Sequence, residues 1–102
     1  MKKLTKKQNA LLTQVMRVED YNEFDRTIIK RFLIDYSDLW SNGSISQDGT
    51  EIFLTPCKGK ASYLYLLGCA LRADEIGYIK PNTLVVGTQK YQAGNLLRLW
   101  WD

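Results

Sequence analysis

The sequence predicts an α+β domain: three helices packed on a small antiparallel sheet of two hairpins, in the order helix, helix, hairpin, helix, hairpin. Three observations carry this. Two stretches with apolar residues at three- and four-residue spacing open the chain. An Asp48-Gly49 pair then separates two short β-rich runs. A third, more apolar helical stretch precedes a β-branched tail. At 102 residues and 11.8 kDa the chain is sized for a single domain spanning 1–102, with a basic start at 1–7.

The first helix is predicted from Thr5 to about Arg17. Thr5 and Gln8 fit the S/T-x-x-E/Q capping box, and Leu4, Leu11, Leu12, Val15 and Met16 share one face. The second is predicted to run five turns, capped by Asp20 or Asn22. Tyr21, Phe24, Ile28, Ile29, Phe32, Leu33, Tyr36, Leu39 and Trp40 form its stripe, and Asn42-Gly43 is its expected stop. The acidic cluster Glu19, Asp20, Glu23 and Asp25 suits the positive end of that helix.

Between Ser44 and Thr55 the period changes, and Gln47-Asp48-Gly49 supplies a hairpin turn. Thr55-Pro56 resembles an N-cap and first helical position. The third helix is accordingly expected to start at Pro56 or Lys60 and to reach Ile76, with Gly77 ending it. In the tail, Thr83-Leu84-Val85-Val86 reads as a strand. Asn95 to Trp101 reads as its returning partner, although Ala93, Leu96, Leu97 and Trp100 also fit a helical face.

Composition narrows function by exclusion. The chain has no histidine, so the usual neutral-pH base, the commonest zinc ligand and the partner of Ser-His or Cys-His nucleophiles are missing. No cofactor motif and no metal set is present in the sequence pattern, and no cofactor is expected. Cys57 and Cys69 flank or occupy a helix, roughly 18 Å apart if it is continuous, beyond the ~7 Å reach of a disulfide. With no apolar run near the ~20 residues of a membrane span, a cytoplasmic protein without membrane contact is expected.

Two kinds of surface remain. A protein-binding regulator or inhibitor is the leading expectation, with Tyr91, Trp100 and Trp101 as contact residues; adjacent tryptophans on a strand point to opposite faces, so one can enter the core while the other meets solvent or a partner. A homodimer through an edge strand belongs to the same reading. The alternative is phosphate or nucleic-acid contact. Without Lys2, Lys3, Lys6 and Lys7 the net charge of +3 would be −1, so the basic character is a local patch. Lys58, Lys60 and Ser62 surround Gly59 ahead of the third helix, where a helix start offers free N–H groups. The G-x-x-x-x-G-K-[ST] phosphate loop is absent.

Overall fold

A computed structural model describes residues 3–79, 85–86, 89–90 and 96–102. The chain forms α1 (Lys6–Met16), α2 (Arg26–Asp35), β1 (Trp40–Ile45), β2 (Glu51–Pro56) and α3 (Ala61–Gly68). A 3₁₀ turn (Cys69–Leu71), β3 (Glu75–Ile79), β4 (Val85–Val86), β5 (Gln89–Lys90) and β6 (Leu96–Trp100) follow. The class is the expected α+β, with helices, strands, helix and strands in the expected order. The four-stranded antiparallel sheet has the order β1-β2-β6-β3, and β4 pairs with β5 in a separate ribbon.

Register divides the sheet into two faces. Ile45, Ile52, Leu99 and Ile76 form one cross-strand row, and Gly43, Leu54, Leu97 and Tyr78 the next. These rows meet the core that the helices fill with Leu11, Leu12, Val15, Ile29, Phe32, Leu33 and Leu64. The other face carries the rows Ser44, Phe53, Arg98, Gly77 and Glu51, Trp100, Glu75. Arg98 donates through Nε to Glu51 and through Nη1 to Glu75 at 2.9 Å, so three strands are tied by one guanidinium.

α1 starts as the capping box requires: Thr5 Oγ1 accepts from Gln8 N, and Gln8 Oε1 accepts from Thr5 N. The second helix is shorter than its stripe implies. Its cap is Asp25, which accepts from Thr27 N and Ile28 N, rather than Asp20 or Asn22. It ends at Asp35, and Leu39 and Trp40 enter the core from a turn and from β1. Asn42 and Gly43 lie within β1, beside an irregular register step. Gly43 serves packing there: an added Cβ would lie 2.8 Å from Leu11 Cδ2 and 2.8 Å from Phe53 O.

The first hairpin turns as expected. Gly49 has φ +75, and Asp48 Oδ1 accepts from Ser46 Oγ, Thr50 N and Thr50 Oγ1. Thr55-Pro56 ends β2 instead of starting a helix. α3 begins after Lys60, and Arg72, left-handed at φ 61, closes its 3₁₀ extension. Ile76 and Gly77 therefore belong to β3. Ile76 and Tyr78 point to the core and Gly77 to the other face, a strand alternation in place of the expected helix end at Ile76 and Gly77. Residues Leu96–Trp100 are strand, and their partners are β2 and β3.

Candidate functional site

α3 presents the most exposed apolar side chains of the described residues. Its sequence, ASYLYLLG, is almost wholly apolar, yet only Leu64 and Gly68, with Leu71 in the following turn, are buried. Gly68 allows this seating, because a Cβ there would lie 3.1 Å from Ile76 Cδ1. Tyr78 Oη pins the start of the helix by donating to Ala61 O at 2.6 Å. Everything on the outer side then faces solvent. Leu66 is 66% exposed and Tyr63 59%, with Tyr65, Cys69 and Ala70 also exposed. Lys60 Nζ stands 5.8 Å from the Tyr63 ring centroid, a cation–π contact at the edge of this face.

A basic end adjoins it. Gln8 Nε2 donates to Ser37 O and Trp40 O, fixing the start of α1 against the start of β1. Trp40 pairs with Pro56, Cys57 N donates to Leu39 O at 2.8 Å, and Lys60 N donates to Cys57 O at 2.9 Å. The starts of α1 and α3 are thus joined at one end of the β1–β2 hairpin. Lys3, Lys6 and Lys7 are exposed on the first, and Lys58, Lys60 and Ser62 on the second. Among the described residues, Lys58 and Lys60 form no ion pair.

The tryptophan expectation needs correction. Trp101 is 0% exposed; its Nε1 donates to Leu71 O at 3.2 Å, and Phe24 meets its ring edge-on at 5.2 Å. It is core material and has no surface to offer a partner. Trp100 is half-buried on the second face of the sheet, in the row of Glu51 and Glu75. Tyr91 and Lys2 lie outside the described residues. The face of α3 escaped sequence reading because a wide apolar helix reads as a deeply buried one. The available signal was the excess of large apolar residues over what one buried stripe can use.

A groove of about 530 Å³ runs along β3, lined by Asp74 to Ile79 and Arg98. Its polar groups are engaged with one another: Arg98 with Glu51 and Glu75, and Asp74 Oδ2 with Asp102 N. Burial raises the pKa of the Tyr78 phenol, which stays a neutral donor to Ala61 O. No group of three or more potential metal ligands occurs among the described residues, and both cysteines are free. No helix of the described residues is long and apolar enough to cross a membrane. No protein-family model, curated protein or solved structure matches this chain.

Proposed function

We propose that this chain is a non-catalytic binding protein, a small regulator or inhibitor acting through a protein–protein surface, and that the surface is the outer face of α3. The observation that carries this is the exposure of Leu66 and Tyr63 on a helix that buries Leu64 and Gly68 and packs a partly buried Leu67 against the core. A contiguous apolar patch of this kind is maintained against solvent at a solubility cost, and such patches mark contact surfaces. Tyrosine supplies contact area at low conformational cost, which suits it to an anchor. Unbridged cysteines fit a reducing cytoplasmic setting.

The test is affinity capture with wild type, a Tyr63→Ala/Leu66→Ala variant and a Trp100→Ala variant, under nuclease. A protein retained by wild type and Trp100→Ala and lost by the α3 variant supports the assignment. Retention by all three moves the surface elsewhere.

A second reading has its own observation, the joining of the α1 and α3 starts at one lysine-bearing end. There the chain would contact the phosphates of a nucleic acid through Lys3, Lys6, Lys7, Lys58 and Lys60. Each phosphate contact releases counterions and steepens the salt dependence. Mobility-shift titration at physiological salt decides it. Binding that weakens in Lys58→Ala/Lys60→Ala supports this reading, and absence of binding removes it.

A further inference from the structure

We infer that Asn42 is a self-modifying site: the main-chain nitrogen of Gly43 attacks the Asn42 side-chain amide, and the residue converts spontaneously to aspartate and isoaspartate. This chemistry is independent of the α3 face and of the lysine-bearing end. The bond from Gly43 N to Asn42 Cγ forms, and the bond from Cγ to Nδ2 breaks. The hydrogen of Gly43 N leaves with Nδ2 as ammonia. Water then opens the cyclic imide. Cleavage on the Cγ side gives aspartate, and cleavage at the main-chain carbonyl gives isoaspartate. Water is the co-reactant, and nothing is oxidised or reduced.

The sequence supplies the reactive pair and the fold holds it together. Asn42 is the asparagine of this chain that glycine follows, so no side chain on the next residue shields the attacking nitrogen. Gly43 N donates to Asn42 Oδ1 at 2.9 Å. The carbonyl carbon is one C=O bond, ~1.23 Å, from that oxygen. The nucleophile is therefore kept close to the ~3–3.5 Å at which reacting atoms stand ready, and the same hydrogen bond polarises the carbonyl it attacks. β1 is an edge strand of the four-stranded sheet, with β2 beside it, and its ladder steps out of register between Trp40 and Asn42. A local turn of the backbone there disturbs one ladder of that sheet rather than two. Asn42 is half-buried, so water reaches the imide.

A second pair of this chemical type, Asp48-Gly49, has surroundings that oppose the reaction. Gly49 N donates to Ser46 O at 2.9 Å instead of to the Asp48 side chain. The Asp48 carboxyl accepts from Ser46 Oγ, Thr50 N and Thr50 Oγ1, which hold it ionised, and a carboxylate is a poor electrophile. Conversion at residue 42 matters to the fold because β1 has no slack. Isoaspartate adds one methylene to the main chain. Gly43 already lies so close to its neighbours that an added Cβ would stand 2.8 Å from Leu11 Cδ2 and 2.8 Å from Phe53 O. The longer chain must displace Gly43 from α1 and β2, so isoaspartate loosens the seat of α1 on the sheet. The outcome is a slow, one-way loss of stability set by time and pH.

The experiment is incubation of the whole native chain in heavy-oxygen water at mildly alkaline pH, with a parallel sample in urea, followed by mass spectrometry with fragmentation to assign each change to a residue. In the native sample residue 42 is expected to take up heavy oxygen and to give separable aspartate and isoaspartate forms, faster as pH rises. Asp48 is expected to exchange in urea and little in the native sample. Asn42→Gln is expected to abolish the first change and to leave the exchange of Asp48 in urea intact. Native conversion at Asn42 that is an order of magnitude slower than in urea overturns the inference, as does native exchange at Asp48 that keeps pace with Asn42. Thermal melts then compare the separated isoaspartate form with Asn42→Asp, which adds the charge without the methylene. A lower midpoint for the isoaspartate form is expected; equal midpoints overturn the claim that β1 has no slack.

Discussion

The side-chain amide of Gln8 donates to the main-chain oxygen of Trp40 at 2.8 Å and to that of Ser37 at 2.7 Å, while Trp40 Nε1 donates to Leu33 O at 3.0 Å. One buried glutamine therefore joins the start of α1 to the place where α2 has ended and β1 begins. Removing it leaves two carbonyls in a water-poor site and dismantles the capping box. Gln8→Ala is expected to cost about 1–3 kcal/mol, seen as a lower urea midpoint with an unchanged slope. Gln8→Glu should cost more at neutral pH, because an ionised carboxylate has no hydrogen to offer either oxygen, and the difference should shrink on acidification.

The two C-terminal tryptophans are expected to separate sharply in stability. Trp101→Ala empties a fully buried site and strands Leu71 O, so a loss of about 3–5 kcal/mol is expected. Trp101→Phe retains part of the packing against Phe24 and should lose less. Trp100→Ala, on the half-buried face, should lose well under half of the Trp101→Ala figure. Chemical denaturation of the three variants checks the order; equal losses at both positions would contradict the placement of Trp101 in the core.

Much of the fold was legible because local chemistry agreed with it. Thr5 and Gln8 spelled out their capping box, and Asp48-Gly49 its turn. Errors arose where one signal has two physical causes. Leu39 and Trp40 continue the helical spacing of α2, but the core accepts an indole from a strand as readily as from a helix. Asn42-Gly43 looked like a helix stop, whereas Gly43 is there to let Leu11 approach the sheet. Ile76 was absorbed into a helix and Gly77 read as its stop because Arg72, a residue with no special claim to positive φ, makes the break. The candidate site was less legible still. Periodicity reports which residues are apolar, not how much of an apolar helix the rest of the chain can cover, so the open face of α3 emerged only from burial.

Gly43 and Gly77 occupy the same sheet and should respond oppositely to alanine. At Gly43 the new Cβ meets Phe53 O at 2.8 Å, a backbone atom fixed by the β1–β2 ladder, and Leu54 Cδ2 at 2.9 Å. Overpacking of that kind costs about 1–3 kcal/mol, and Gly43→Ala is expected to fall in that range. At Gly77 nothing lies within 4 Å of the added atom, and alanine also restricts the unfolded chain. Gly77→Ala is therefore expected to be neutral or slightly stabilising. Thermal melts of the pair test whether α1 is seated on β1 as closely as the geometry states.

Asp48 gives the hairpin turn a defined pH response. The Ser46 and Thr50 hydroxyls, followed by Thr50 N–H, hold its carboxyl below the ordinary aspartate range. A folded-state pKa depressed in this way stabilises the native state above the unfolded value, ~3.9, and that contribution is lost as pH falls through the folded value. The stability difference between wild type and Asp48→Asn should accordingly be constant near neutrality and shrink in the acid range. Ser46→Ala removes the largest cause, so the Asp48 carboxyl should titrate closer to the ordinary range when followed by carbon-13 NMR. The same charge acts on Tyr21, whose hydroxyl donates to Gly49 O and whose pKa is raised by burial first and by Asp48 second. Asp48→Asn should then lower the Tyr21 pKa part of the way back, leaving the shares due to burial and to Asp74. A Tyr21 titration unmoved by Asp48→Asn would mean that the turn and the Tyr21 ring do not communicate electrostatically.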